Sequence, residues 1–380
     1  MEERSADVND KGRIVAFIVA VLSVWTLMHV YVLSRLWNLP PAPSPGWRTG
    51  LVLAAAAGWV AFPVAMWMSR AIGRAIAPLE IAATTWIGML FLLLICLLAA
   101  DLITGFGWLA TSWWREARTV AVAAAAVLSV VALVQGLRAP EIREHVVTVK
   151  GLRAEHEGLR IVQLSDLHVG PFLKTRWVEA RIAQVEALRP DIVFVTGDLV
   201  EQDATLAEPA VLPLRRLRPR LGVWGVTGNH EYYAGFERSL RAFELAGIQV
   251  IRDSSIEIAP ELVLAGVDDL SARRQFGVDG RPVDRALVGR PPGTTIYMSH
   301  SPWEVERAAE LGVNLMLSGH THAGQIWPFI YLVRLAYPYA SGRYDVNGMT
   351  LIVSRGTGFW GPPMRLFRRS EITAITLRAR

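Results

Sequence analysis

The chain has 380 residues, 52% of them hydrophobic, with 14 tryptophans and a formal net charge of +5. That length accommodates two domains, and so apolar a composition, at a mean hydropathy of +0.31, excludes an ordinary soluble enzyme of uniform texture. The basic residues flank apolar runs or lie dispersed, with no aromatic RNA-binding signature beside them, so the expected charged partner is an anionic membrane surface rather than nucleic acid.

Residues 1–140 hold four apolar segments, at 14–36, 50–68, 81–103 and 119–137. Each approaches or exceeds the roughly 20 residues that cross a bilayer's hydrocarbon. Apolar residues occupy every face of each segment, so four transmembrane helices are expected rather than buried core helices. The first is too long for a signal h-region and lacks a small-residue cleavage site. Trp37, Trp47, Trp108, Trp113 and Trp114 fall at segment ends, as in an interfacial belt. Arg4, Lys11, Arg13, Arg70, Arg74, Arg138, Arg143, Lys150 and Arg153 flank one side of the spans. Arg35, Arg48, Arg115 and Arg118 flank the other. That bias predicts a cytoplasmic N-terminus and a cytoplasmic second half. The single cysteine, Cys96, lies in the third segment. It permits neither an intramolecular disulfide nor a thiolate zinc site.

From residue 141 to 380 the texture changes. Short apolar runs at 145–150, 159–164, 191–196, 221–227, 261–267, 294–299, 314–318 and 349–354 read as strands. Helix-period stretches at 175–188, 206–218, 236–246 and 302–311 lie between several of them. Strand–helix alternation implies a layered α/β domain, with ligands expected at the carboxyl ends of an open sheet.

Five of the eight histidines in the chain lie in short motifs of this half, among Asp166-Leu167-His168, Gly197-Asp198, Gly228-Asn229-His230-Glu231, Met298-Ser299-His300-Ser301 and Gly319-His320-Thr321-His322. Each candidate ligand follows the end of an expected strand, and Gly197, Gly228 and Gly319 allow sharp turns and close approach. A nest of Asp, Asn and His suits two hard-to-borderline divalent cations. Two cations about 4 Å apart would lower the pKa of a shared water and hold phosphate oxygens, which suits attack of a metal-bound hydroxide on phosphorus. Asp198 is the natural bridge. His230 is free to protonate a leaving group.

In this order the motifs resemble the calcineurin-like metallophosphoesterases, whose pattern D-x-H, G-D, G-N-H-[DE], H, G-H-x-H is matched in full. The resemblance covers essentially all of residues 146–380. It implies a β-sandwich flanked by helices in place of a single open sheet. It also implies a first metal on Asp166, His168, Asp198 and His322, a second on Asp198, Asn229, His300 and His320, and a catalytic His230. The ions would be Mn²⁺, with Fe or Zn as alternatives. Phrases such as Gly319–Ile326 resemble the bacterial membrane-associated branch, which includes phosphodiesterases and UDP-diacylglucosamine pyrophosphatases. The expectation is therefore a multi-pass enzyme of the bacterial inner membrane. It would hydrolyse a phosphodiester or pyrophosphate bond in a lipid-linked, amphiphilic substrate. Alternatives are a phosphodiesterase or phosphatase acting on a soluble nucleotide or phosphoprotein, and a membrane sensor or transport module regulated by its metal domain.

Four further features admit a structural reading. Glu201 and Glu231 orient histidines or are solvated carboxylates. Asp268-Asp269 reads most simply as a strand end with a turn. The apolar run Trp327–Tyr339 is a core element, or an acyl-chain groove or membrane-dipping lid. Arg365, Arg368 and Arg369 meet lipid headgroups or form a solvated face.

Overall fold

A segment that is apolar on all sides has no polar face to show water, and the first unit is built from four such helices. They are α1 (Glu2–Leu36), α2 (Pro45–Ile72), α3 (Ala77–Ile103) and α4 (Trp114–Leu137). The computed structural model describes residues 2–39, 44–72, 77–278 and 280–380 and divides into units Met1–Leu133 and Val134–Arg380. All four helices are long and apolar enough to cross a membrane, over Val19–Leu36, Pro45–Met68, Ala77–Ile103 and Trp114–Leu137. Of the charges used for orientation, Arg74 lies outside the described residues, as do the side chains of Arg4, Lys11, Arg13 and Arg70.

Two polar clusters among the described residues of the first unit are paired. Asp101, fully buried, accepts from Tyr31 Oη at 2.7 Å, Arg35 Nε at 2.7 Å and Arg118 Nε at 2.7 Å, tying α1, α3 and α4 together. His29 Nε2 lies 3.0 Å from Trp86 Nε1, which donates to it. A charge in this setting costs least when paired this way. These side chains therefore serve helix association, which weakens the transport alternative.

The second unit is a two-sheet sandwich. One sheet runs β1 (Glu141–Val149), β12 (Glu371–Ala379), β2 (Arg160–Leu164), β3 (Ile192–Thr196), β4 (Val223–Val226), β5 (Gln249–Val250). The other runs β10 (Gly342–Val346), β11 (Met349–Val353), β9 (Leu315–Ser318), β8 (Thr294–Met298), β7 (Leu262–Gly266), β6 (Ser254–Ala259). The central strands of each sheet are parallel. Helices α5 (Thr175–Ala187), α6 (Ala204–Val211), α7 (Asn229–Tyr233), α8 (Phe236–Leu245), α9 (Leu270–Gln275), α10 (Pro282–Leu287), α11 (Val305–Glu310) and α12 (Ile330–Ala336) complete it.

Parallel strands buried on both faces read as continuous apolar runs, and β2 shows why. Ile161 packs between the sheets with Phe194, Leu264 and Leu317. Its neighbours Val162 and Leu164 point outward onto Val178 and Ile182 of α5. Gln163 returns inward, where its Nε2 donates to Thr196 Oγ1 and to the Ser318 carbonyl, each at 2.9 Å, stitching β2 to β3 and to the opposite sheet. Helices α10 and α11 cover the outer face of the second sheet.

The expected single open sheet is thus replaced by two sheets, as the family resemblance implied. All eight expected strands form. The expected helix 206–218 stops at Val211 and continues as a 3₁₀ turn over Leu212–Arg216, because Pro213 removes a helical donor.

Candidate metal centre

The sandwich brings the carboxyl ends of its parallel strands to one rim, and the candidate ligands stand there. Asp166 follows β2, Asp198 follows β3, Asn229 follows β4, His300 follows β8, and His320 and His322 follow β9. Five of these residues hold left-handed backbone: Asp166 at φ 53°, His168 at 46°, Asp198 at 52°, His320 at 70° and His322 at 49°. Non-glycine residues rarely adopt that region unless surrounding structure enforces it. Two glycines make room. Gly197, at φ +85°, lies against the His300 ring, and Gly319 lies against Ser165 Oγ and Asp166 Oδ2, so a Cβ at either position would collide.

All eight sequence-expected residues are brought together. Asp166, His168 and His322 form one group able to hold an ion, His168, Asp198 and His230 a second, and Asp198, His300 and His320 a third, with ligand atoms in each within 4.8 Å. His322 Nε2 lies 3.2 Å from Asp166 Oδ1 and 3.1 Å from His168 Nε2. His300 Nε2 lies 3.1 Å from Asp198 Oδ2, and His168 Nε2 lies 3.7 Å from it. Asn229 Oδ1 is 2.8 Å from His320 Nδ1. Asp198 therefore stands between the two sets.

Outer contacts orient these side chains. His300 Nδ1 is 2.7 Å from the Thr196 carbonyl, which only an N–H can satisfy, so Nε2 is the nitrogen left to face an ion. His320 Nε2 is 2.7 Å from Tyr337 Oη. Glu231 accepts from Gly228 N at 2.5 Å, Asp198 N at 3.0 Å and Val200 N at 3.2 Å, clamping two ligand loops together. Glu201 Oε2 reaches both His168 Nδ1 and His230 Nδ1. Burial, then the Asp198 charge, raises the Glu231 carboxyl to about 8. Burial raises Glu201 to about 7. Both are buried partners rather than solvated carboxylates.

The electrostatics favour added positive charge. Burial opposes ionisation of Asp198, yet His300, His230 and His168 hold its carboxyl well below the usual range. Burial likewise opposes charging His300, but the carboxylates of Asp198, Asp166 and Asp269 hold its imidazole well above normal. His300 Nε2 is buried without a hydrogen-bond partner although it faces Asp198. A cation bound between His300 Nε2 and Asp198 Oδ2, 3.1 Å apart, would replace the proton that the carboxylates otherwise hold on the imidazole. With an Asp, Asn and His donor set, the residues present fit two divalent cations.

Four neighbours carry no sequence signal toward this site. Tyr337 sits inside the apolar run Trp327–Tyr339, which forms α12 with only Ile330 of that helix buried. Arg365, expected to meet headgroups or solvent, does neither: it is fully buried, donates to the Gly358 carbonyl at 2.7 Å and has Nη2 3.2 Å from His322 Nδ1. Trp360 stands 6.3 Å from His230, ring centre to ring centre, and Tyr233 stands 5.5 Å from it. Asp268 and Asp269 are structural: Asp268 accepts from Thr227 Oγ1 at 2.9 Å and from Arg252, while Asp269 caps α9 through Ala272 N.

Residues 159–324 match the family model of the calcineurin-like phosphoesterases. The chain is 37% identical over 265 residues to a zebrafish (Danio rerio) "Transmembrane protein with metallophosphoesterase domain", covering 67% of this chain and 61% of that protein. An uncharacterized metallophosphoesterase of Helicobacter pylori is 36% identical over 64% of this chain and 65% of its own length. One from Aquifex aeolicus is 35% identical over 58% of this chain and 86% of its own length. This chain therefore spans less than two thirds of the first two relatives. With its motif set assembled on one rim, the chain belongs to the calcineurin-like metallophosphoesterase family and carries four preceding helices long and apolar enough to cross a membrane.

Proposed function

We propose that this protein is a membrane-anchored dinuclear-metal phosphoesterase that cleaves a phosphodiester or pyrophosphate bond in an amphiphilic, lipid-linked substrate. The observation that carries the reading is Asp198, shared between a set with His168 and a set with His300 and His320. Asp166, His168, Asp198 and His322 would hold one ion, and Asp198, Asn229, His300 and His320 the other. Bound there, two divalent ions would activate water as nucleophile and neutralise charge on the phosphoryl oxygens.

The chain's own residues do the rest. Thr196 O and Tyr337 Oη fix the His300 and His320 rings. Glu231 locks the Asp198 and Gly228 loops in register. Glu201 holds His230 by Nδ1, which leaves Nε2 to deliver a proton to the departing oxygen. The charge bias around the spans supports a cytoplasmic catalytic region, residues 141–380, behind a membrane region of residues 1–140. That arrangement corresponds to a bacterial inner membrane. Mn²⁺ is the ion we assign, with Fe or Zn as alternatives. Tethering at a bilayer raises the local concentration of an amphiphile, which favours a lipid-linked substrate.

The test is hydrolysis by the full chain in detergent with Mn²⁺, comparing UDP-diacylglucosamine with bis-p-nitrophenyl phosphate, with Asp198→Asn and His230→Ala as controls. Preference for the lipid nucleotide, lost in both variants, is the expected result. Variant-sensitive cleavage of the generic diester alone would keep the reaction class and overturn the lipid substrate.

A further inference from the structure

We propose that an apolar rim beside the metal centre rests in the headgroup layer of an anionic bilayer, so that an amphiphile enters the site sideways from the membrane. The delivery role rests on the lipid-substrate reading above; the bilayer contact does not.

The rim is large, aromatic and exposed. Trp327 is 41% accessible, Tyr331 58%, Leu332 57%, Leu335 84%, Trp360 54% and Phe367 59%. These residues come from two segments joined into one surface. Trp327 and Phe367 pack with ring centres 5.9 Å apart. Gln325 Nε2 donates to the carbonyls of Trp360 at 2.9 Å and Pro362 at 3.0 Å. Exposed apolar patches of this kind mark interaction surfaces rather than solvent-facing ones. Nor is the patch remote from the chemistry. Trp360 lies 6.3 Å from His230, and Tyr337, just past α12, is 2.7 Å from His320 Nε2.

Two observations identify the occupant as a bilayer. The second unit begins at Val134, inside the last turn of α4, a helix of membrane length. The segment carrying Trp360 and Phe367 is fastened to that turn and its exit. Phe367 N donates to Gln135 Oε1 at 2.9 Å, Arg369 Nη2 donates to the Ala139 carbonyl at 2.8 Å, and Gly136 lies flush against the Pro363 backbone. The rim is thus held at the point where a membrane helix ends, the depth at which Trp and Tyr belts lie. The charge also fits. Arg334 is exposed among Leu332 and Leu335, and Arg368 follows Phe367, a pattern that pairs apolar insertion with attraction to anionic headgroups.

The test needs no turnover, so its failure and failure of the substrate reading are distinguishable. Cys96, the only cysteine, is replaced by alanine in the full chain, and single cysteines are introduced as Leu335→Cys, Phe367→Cys and Val288→Cys. Val288 is 61% exposed and leads toward the start of β8, the strand end opposite the metal centre. Each variant is labelled with an environment-sensitive dye and reconstituted in phosphatidylcholine–phosphatidylglycerol nanodiscs carrying a headgroup nitroxide. Quenching at positions 335 and 367 at least about twofold above that at 288 is the result expected of interfacial residues. Equal quenching at all three positions would overturn the bilayer contact and leave the rim to a protein partner. Quenching that stays the same in pure phosphatidylcholine would overturn the anionic preference.

Discussion

Glu201 Oε2 stands 2.5 Å from His168 Nδ1 and 3.4 Å from His230 Nδ1, so one buried carboxylate serves a candidate ligand and the candidate proton donor together. Glutamine keeps the shape but offers a weaker acceptor and a competing N–H. Glu201→Gln should therefore weaken metal binding roughly 10- to 100-fold, the usual cost of losing a histidine's outer partner. It should also lower kcat at saturating metal, because His230 loses its anchor. Metal titration by calorimetry and kcat at saturation separate the two effects. Unchanged values of both would remove Glu201 from the site.

His230 should behave differently from the ligands around it. His230→Ala deletes proton transfer while leaving the donor sets on Asp166, His168, Asp198, Asn229, His300, His320 and His322 in place. We expect kcat to fall about 10²- to 10⁴-fold with metal content unchanged by elemental analysis. The loss should shrink for a p-nitrophenolate leaving group, which departs without help. Equal losses for poor and good leaving groups would count against the proton-donor role.

Gly319 places the His320 loop against Ser165 Oγ and Asp166 Oδ2. Ser165 Oγ also donates to Asp166 Oδ2 at 2.5 Å, and His320 N donates to Asp166 Oδ1 at 3.0 Å. A methyl group at 319 must push Asp166 away from this arrangement. Gly319→Ala should lower Tm by an amount consistent with about 1–3 kcal/mol of overpacking, and it should lower metal occupancy more than Gly348→Ala, where a methyl group meets nothing within 4 Å and the cost is only that of a φ of +84°. Calorimetric melting with metal analysis of both variants checks this. Equal behaviour would mean that the Gly319 contact is relieved without moving Asp166.

The legible parts of the chain were those where one residue type answers to one physical demand. Asp166, His168, Asp198 and the Gly-His-x-His run are short-range patterns that survive without knowledge of the partner strand. The runs Ile192–Thr196 and Thr294–Met298 are buried throughout because both faces are covered, and their unbroken β-branched and apolar character reads directly. What escaped depended on distant partners. Strand β12, inserted between β1 and β2, alternates weakly and follows an arginine-rich stretch, so only its pairing with those two strands reveals it. The short strand β5 is two residues long. Arg365 is basic and lies near other arginines, which reads as surface; its burial comes from packing beside His322 and Gly358. Tyr337 looked like one more aromatic of an apolar run, and its bond to His320 spans 17 positions. No local pattern encodes such a contact.

The left-handed backbone at Asp166, His168, Asp198, His320 and His322 gives a last prediction, about stability rather than rate. Such conformations persist only where other interactions over-determine them. The Asp198 charge opposes ionisation of the buried Asp166 carboxylate, and burial opposes both, each being rescued by imidazoles. Bound cations would relieve both costs and stabilise the folded state by mass action, by about 2.7 kcal/mol per site at a hundredfold excess over Kd. Chelation should therefore lower Tm of the second unit's transition, and readdition of Mn²⁺ should restore it. Asp198→Asn removes the carboxylate shared by both sets, so its Tm should respond far less to metal. Differential scanning calorimetry of the full chain in detergent, with metal content measured on the same samples, reads both effects. A wild-type transition indifferent to verified metal loss would mean that the loops hold their strained backbone without ions.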